Sequence, residues 1–193
     1  MNIVAISGSL RKASFNTMLI HEAVSVCQSA TIEVASIADI PLYNGDIEAN
    51  TGPPSSVTML QDRLEQADGL ILASPEYNNG VPGVMKNAID WLSRPSEKID
   101  IVFARKPLAM MGASMGSFGT VLAQAGWLPT IRALGLSLWT DETPFLVSRA
   151  HQAFDEHGHF IEDSMRKKLQ AYIEAFVTFI ATTKRKESMR GVV

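Results

Sequence analysis

Along this chain, short unbroken apolar runs alternate with longer stretches in which apolar residues recur every three or four positions. NIVAIS (2–7), closed by Gly8, predicts a buried strand, and Met18, Leu19, Ala23, Val26 and Cys27 mark one face of a helix over Phe15 to Ser29. TIEVASI (31–37) alternates polar and apolar residues and predicts a less buried strand. PLYNGDIEANTGPPSS (41–56) has loop composition, with Ser55 or Ser56 as the cap of a helix reaching about Ala67. GLILAS (69–74), PLAMMG (107–112) and GLSLWT (135–140) predict three more strands. VPGVMKNAIDWLS (81–93) and the segment from Ser117 to Ala133 predict the helices between them. Leu169, Tyr172, Ile173, Phe176, Val177 and Ile180 recur at helical spacing in a long final helix, and a frayed tail is expected over 184–193.

Five strands alternating with helices predict an α/β fold, a parallel sheet covered on both faces. No internal repeat and no linker divides the chain, so residues 1–193 are expected to form one domain. In open sheets of this kind ligands sit at the carboxyl ends of the strands, where the strand order reverses. The loops to watch are therefore GSLRKASFNT (8–17), SPEYNNGVPG (74–83) and GASMGSFG (112–119). They are also the segments richest in Gly, Ser, Asn and Pro, which places the site before any chemistry is assumed.

Composition narrows the partners. Hydrophobic residues make up 46% and charged residues 19%, an ordinary globular balance. A net charge of −3 gives no electrostatic reason to expect nucleic acid or an anionic membrane. No apolar run approaches the length that spans a bilayer, so membrane insertion is not expected. The N-terminus enters a strand directly, without the pattern of a secretory signal. Cys27 has no second cysteine to pair with, and the expected home is a reducing one, the cytoplasm. Cys27 itself is expected to pack in the first helix, and Trp91, Trp127 and Trp139 to lie in cores or a subunit interface.

The first loop gathers Ser7, Ser9, Arg11, Ser14, Asn16 and Thr17 around a helix start. Helix N-termini present unpaired N–H groups and the positive end of the dipole, and an arginine fork adds planar donors to a phosphate. Only Gly8 of a dinucleotide G-x-G-x-x-G fingerprint is present, and no P-loop occurs, so a mononucleotide phosphate gripped by side chains is favoured. In the second loop Tyr77 is placed to lie against a flat heterocycle, with the main chain from Glu76 to Gly80 on its polar edge. Turn chemistry alone also accounts for Asn78, Asn79 and Gly80.

GSLRKASFN (8–16), PEYNNGVPGVMKNAIDWLSRP (75–95) and SIADIPLYNGDI (36–47) together resemble the NADPH-dependent FMN reductase family, and within it the bacterial quinone reductases, also described as chromate reductases. The likeness runs from Met1 to about residue 135. It implies a flavodoxin-like, doubly wound five-stranded sheet in the order 2-1-3-4-5, holding FMN non-covalently, commonly in a homodimer or homotetramer. Carried over by position, Ser9, Arg11, Ser14, Phe15 and Asn16 would surround the FMN phosphate. Pro75, Glu76, Tyr77 and Asn78 would run along the isoalloxazine ring, largely through their backbone, and Ser114 would reach the ring or ribityl region. Where many relatives have paired glycines, this chain has Gly119 and Thr120, a departure expected at the pocket rim.

The resemblance also implies a ping-pong oxidoreductase. NADPH or NADH would reduce the flavin and a quinone would reoxidise it, with chromate, azo compounds or free flavin as further acceptors. No protein nucleophile or general base is then required. N–H groups of Asn78 to Gly80, or near Ser114 and Gly116, are the expected donors to the reduced ring. Lys86, Asn87 and Asp90 lie at helical spacing, most simply as a polar face with a Lys86–Asp90 ion pair.

Two other functions fit parts of the sequence. GASMG (112–116) matches the G-x-S-x-G elbow of serine hydrolases, and Ser114, Asp141 and then His151, His157 or His159 follow that class's chain order. No HGGG-type oxyanion segment accompanies it, and HQAFDEHGHF has the look of a solvated turn. A metal role for His157 and His159 lacks a completing ligand set. A flavodoxin-like electron carrier would share the FMN site but turn over NAD(P)H very slowly. The hydrolase accounts for one loop, whereas a flavin accounts for three.

Overall fold

The apolar runs form the sheet, and their alternation divides the interior in two. The computed structural model describes the backbone of residues 1–190 and the side chains of 1–185. Strands β1 (Asn2–Ser7), β3 (Gly69–Ala73) and β4 (Pro107–Ala113) are buried almost throughout, as parallel strands covered on both faces must be. β2 (Thr31–Ala35) is the edge strand and only partly buried, with Ile32 entering one core and Ala35 the other. Along β1, β3 and β4, Ile3, Ala5, Ile71, Ala73, Ala109 and Met111 enter one core, while Val4, Ile6, Leu70, Leu72, Leu108 and Met110 enter the other.

Helices α1 (Phe15–Val26) and α8 (Asp163–Arg190) cover the first face. Leu169, Tyr172, Ile173, Phe176, Val177 and Ile180, the apolar stripe read from the sequence, are all buried there. Gly69 lets α8 close on the sheet, because a Cβ at that position would come within 2.6 Å of Ile180 Cδ1. The second face carries α3 (Ser55–Gln66), α4 (Gly83–Leu92), α5 (Lys98–Val102) and α6 (Val121–Ala133). Trp91 and Trp127 lie in this core and Trp139 in the other. Cys27 is half-buried, its thiol donating to Ala30 O at 3.3 Å. The last three positions of the expected frayed tail, 191–193, lie outside the described residues.

The strand order is β2-β1-β3-β4-β5, as the family resemblance implies, but the fifth position is shared. β5 is only Ser137–Leu138 and pairs with Pro107 and Leu108 at the start of β4. β6 (Phe145–Val147) then pairs with Met111 to Ala113 at its end. The sequence predicts one strand over 135–140. Instead the chain leaves β4 after Leu138, buries Trp139 against Tyr172 and Phe176, and returns at Phe145, after six intervening residues. A short helix, α7 (Ala150–Ala153), follows β6.

Three other local expectations are corrected. The loop predicted over 41–56 contains α2 (Gly45–Thr51), which buries no residue and so leaves no apolar stripe to read. Asn44 caps it, and Glu48 ties it to Arg94 at 2.9 Å. Neither Ser55 nor Ser56 caps α3: the Pro54 carbonyl accepts the Val57 and Thr58 N–H groups, and the Ser56 hydroxyl donates to Asp39 O. Finally, α6 begins at Val121 rather than Ser117, because Gly119 takes a φ of 64° that a right-handed helix excludes.

Candidate active site

The loops after β1, β3 and β4 meet at the carboxyl end of the sheet around a cavity of about 510 Å³. Ser9, Arg11, Ser14, Phe15 and Asn16 line it from the first loop, Pro75, Glu76, Tyr77 and Asn78 from the second, and Ser114 from the third. Ser7 and Thr17 do not; the Thr17 hydroxyl donates to Ser7 Oγ at 3.0 Å. Met115, Ser117 and Phe118 line the cavity without having been singled out from the sequence. An aromatic residue in a Gly- and Ser-rich loop was the available signal for Phe118.

In the first loop, Ser14 is the N-cap of α1 and accepts the Thr17 N–H at 3.3 Å. The N–H groups of Phe15 and Asn16 have no acceptor among the described residues, as expected of a first helical turn. The Arg11 guanidinium lies 5.3 Å from the centroid of Phe15 and pairs with no carboxylate among the described residues. Phe154 stacks on Phe15 with ring centroids 6.0 Å apart, so the ring that Arg11 lies over is itself held by packing. Asn16 is 3% exposed, and its amide both donates to Ala113 O and accepts from Ala113 N–H.

The second loop is held at both ends. Ser74 Oγ accepts the Trp127 indole N–H at 2.9 Å and donates to Pro75 O at 3.0 Å. One Glu76 carboxylate oxygen accepts the N–H groups of Leu122 and Ala123, at 2.9 and 3.0 Å, capping α6 where Thr120 makes no side-chain cap. Tyr77 and Gly80 exchange backbone hydrogen bonds across Asn78 and Asn79, whose φ values of 51° and 60° make a two-residue primed turn. The Gly80 N–H, an expected donor to a ligand, is therefore committed to Tyr77 O, while those of Asn78 and Asn79 have no acceptor among the described residues. The Tyr77 hydroxyl reaches Ser9 Oγ at 3.3 Å and joins the first two loops. Lys86 and Asp90 form the expected pair at 2.6 Å and, with Asn87, lie outside the cavity.

The third loop follows the end of β4, where a Cβ at Gly112 would fall 2.0 Å from Thr120 Oγ1 and 2.5 Å from Ser74 O. Thr120 is buried behind the rim and accepts from the Gln124 side chain, so the departure from paired glycines does not reach the cavity wall. The Ser114 hydroxyl donates to Gly119 O at 2.6 Å, and its N–H is used by Val147 O. Ser114 has no positive φ, unlike the strained turn of a nucleophile elbow. No histidine bonds to it: His159 Nδ1 lies 2.8 Å from Glu22, and Asp141 lines a separate depression with Trp139 and Tyr172. The hydrolase constellation is not assembled.

These donors fit FMN. An unpaired arginine beside free N–H groups at a helix start suits a dianionic phosphate, and free N–H groups at Asn78 and Asn79 suit the polar edge of a flat ring. Among the described residues no helix is long and apolar enough to cross a membrane.

Comparison with known proteins agrees with this geometry. A family model described as NADPH-dependent FMN reductase matches residues 1–152. An NAD(P)H-dependent FMN reductase of Pseudomonas aeruginosa is 39% identical over 181 residues, 93% of this chain and 95% of that protein. A quinone reductase of Escherichia coli K12 is 43% identical over 128 residues, 64% of this chain and 65% of that one. The solved structure of FerB, a flavoenzyme NAD(P)H:(acceptor) oxidoreductase from Paracoccus denitrificans, superimposes with a TM-score of 0.83 at 32% identity, covering 94% of this chain and 98% of its own. With its sheet order, its three-loop cavity and a family match across most of its length, the chain belongs to the NADPH-dependent FMN reductase family.

Proposed function

We propose that this protein is an FMN-dependent NAD(P)H oxidoreductase that reduces quinones, with chromate, azo compounds or free flavin as further small acceptors. The observation that carries the proposal is one cavity uniting three donor-rich loops, with the unpaired Arg11 at the start of α1 and two aromatic side chains, Tyr77 and Phe118, at the opposite loops. FMN, when bound here, would supply the redox chemistry between NAD(P)H and an acceptor, a ping-pong sequence in which the chain's own residues bind and orient.

The protein binds and orients. Arg11, the Ser9 and Ser14 hydroxyls and the first-turn N–H groups of α1 hold the phosphate. Asn16 and Glu76 act chiefly by fixing backbone, the one at β4 and the other at α6. The N–H groups of Asn78, Asn79 and Gly116 offer hydrogen bonds to the ring's polar edge, where negative charge develops on reduction. Pro75, Phe15 and Ser114 shape the walls. The whole chain, 1–193, serves as one FMN-binding domain. A cytoplasmic homodimer or homotetramer is the state we propose, supported by the exposed apolar face that Val121, Leu122 and Leu128 present on α6.

Visible absorption after incubation with FMN and desalting tests this directly. Retained yellow colour that bleaches with anaerobic NADPH and returns with benzoquinone is the expected result. Colour that neither NADPH nor NADH bleaches would make the protein an electron carrier, and failure to retain FMN would remove the cofactor.

A further inference from the structure

We infer that Phe118 is the specificity-determining wall of the acceptor site, selecting flat, uncharged aromatic acceptors over small anions; this rests on the function proposed above. Of the eight phenylalanines in the chain, Phe118 alone is exposed, at 83%. The other seven are buried or half-buried, and all three tryptophans are buried. A ring left in water forgoes the hydrophobic stabilisation that burial gives elsewhere in this fold.

A floppy loop would explain such exposure without function, but this loop is pinned. Ser114 O accepts the Ala150 N–H at 2.9 Å, Gly116 O accepts the Arg149 N–H at 3.0 Å, and Gly119 O accepts the Ser114 hydroxyl at 2.6 Å. Gly119 itself packs against Leu146, with no room to spare for a side chain. Phe118 is therefore held out from a braced segment of the cavity wall, facing a site that its own fold does not fill.

The surrounding chemistry indicates the occupant. Tyr77 and Met115, 49% and 65% exposed, line the same cavity, and Tyr77 is steadied by its bond to Ser9. Among the described residues Arg11 is the only cationic side chain in the lining and belongs to the first loop, whereas Glu76 adds a carboxylate. An anionic acceptor stacked on these rings would meet their electron-rich faces beside a carboxylate. A neutral aromatic ring would meet surfaces on which it stacks.

The test compares wild type, Phe118→Ala and Phe118→Tyr, each loaded with FMN. Calorimetry measures binding of 1-naphthol, a flat neutral aromatic that is not reduced. Stopped-flow absorbance follows reoxidation of dithionite-reduced protein by 2-methyl-1,4-naphthoquinone and by ferricyanide. We expect Phe118→Ala to weaken naphthol binding about tenfold and to lower the naphthoquinone-to-ferricyanide rate ratio about tenfold, with Phe118→Tyr restoring both. An unchanged ratio, or an equal loss with both acceptors, overturns the inference. So does a change confined to oligomeric state by light scattering, which would assign Phe118 to a subunit contact. Failure of the underlying function shows separately, as wild-type protein that does not hold FMN or bleach with NADPH, and overturns both.

Discussion

The side-chain amide of Asn16 pairs with the main chain of Ala113 as a neighbouring strand would, donating to its carbonyl and accepting from its N–H, both at 2.9 Å. The bond couples the start of α1 to the last residue of β4 and so fixes the first loop against the third. Asn16→Ala leaves two buried backbone groups without partners and is expected to destabilise the protein by about 2 to 4 kcal/mol. FMN affinity should fall with it. Urea unfolding of the apoprotein checks the first effect and a flavin-fluorescence titration the second; an unaltered unfolding curve would contradict the assignment.

Glu76 ties the second loop to α6 through two N–H groups. Removing the cap with Glu76→Ala should cost about 1 kcal/mol of stability. It should also raise the FMN dissociation constant roughly three- to tenfold, as the loop loses its anchor. Glu76→Gln retains an acceptor oxygen and should recover most of the affinity. Equal losses for Ala and Gln would place the effect in charge rather than in positioning.

Arg11 is exposed and lies over the Phe15 ring, and among the described residues it pairs with no carboxylate, so its removal leaves no buried charge behind. Arg11→Ala should weaken FMN binding about 10- to 100-fold, the worth of a charge-assisted phosphate contact. The apoprotein should lose less than about 1 kcal/mol, the size of an exposed cation–π contact. Unchanged affinity in a titration would take Arg11 out of the phosphate site.

Ser114 serves its own loop through Gly119 O. Ser114→Ala should lower stability by about 1 kcal/mol. NADPH-driven quinone reduction should stay within about fivefold of wild type, since one neutral hydrogen bond carries no larger effect. An ester-cleaving activity in the wild type that the substitution abolishes would restore the hydrolase.

Asp68 accepts the Asn2 N–H at 2.8 Å and pairs with Lys184 of α8, joining the start of β1 to the last helix. Burial alone would push its carboxyl up, but the Lys184 bond, the Asn2 N–H and the N-terminal amine outweigh it and hold it below the usual carboxylate range. A lowered folded value means stabilisation that is complete above the ordinary value of about 4 and is lost as the pH falls through the folded one. Asp68→Asn should therefore melt below wild type at pH 7, with the gap closing at acid pH. A gap that is constant from pH 7 to pH 3 would be the contrary result.

Much of the site was legible because its signals are local. Ser14 capping α1, the Asn78–Asn79 turn and the Lys86–Asp90 pair each follow from residues a few positions apart. The apolar runs that become β1, β3 and β4 carried the sheet, since continuous burial leaves a continuous apolar signature. The helix α2 and the divided fifth strand were not legible. One buries nothing, and the other is set by where Trp139 finds Tyr172 and Phe176, more than thirty residues away in the chain.

The sequence by itself determined the class of fold, the three loops that form the candidate site and the donor-rich character of the first. Those follow from periodicity and from the chemistry of short segments. Only the tertiary structure decided what each side chain does there. Asn16 and Ser114 have the composition of ligand donors, yet their hydrogen bonds go to Ala113 and Gly119. Glu76 is an acid in a ligand loop that spends an oxygen on a helix 46 residues away. Hydrogen-bonding groups are satisfied by whatever the fold brings within about 3 Å, and sequence distance carries no information about that.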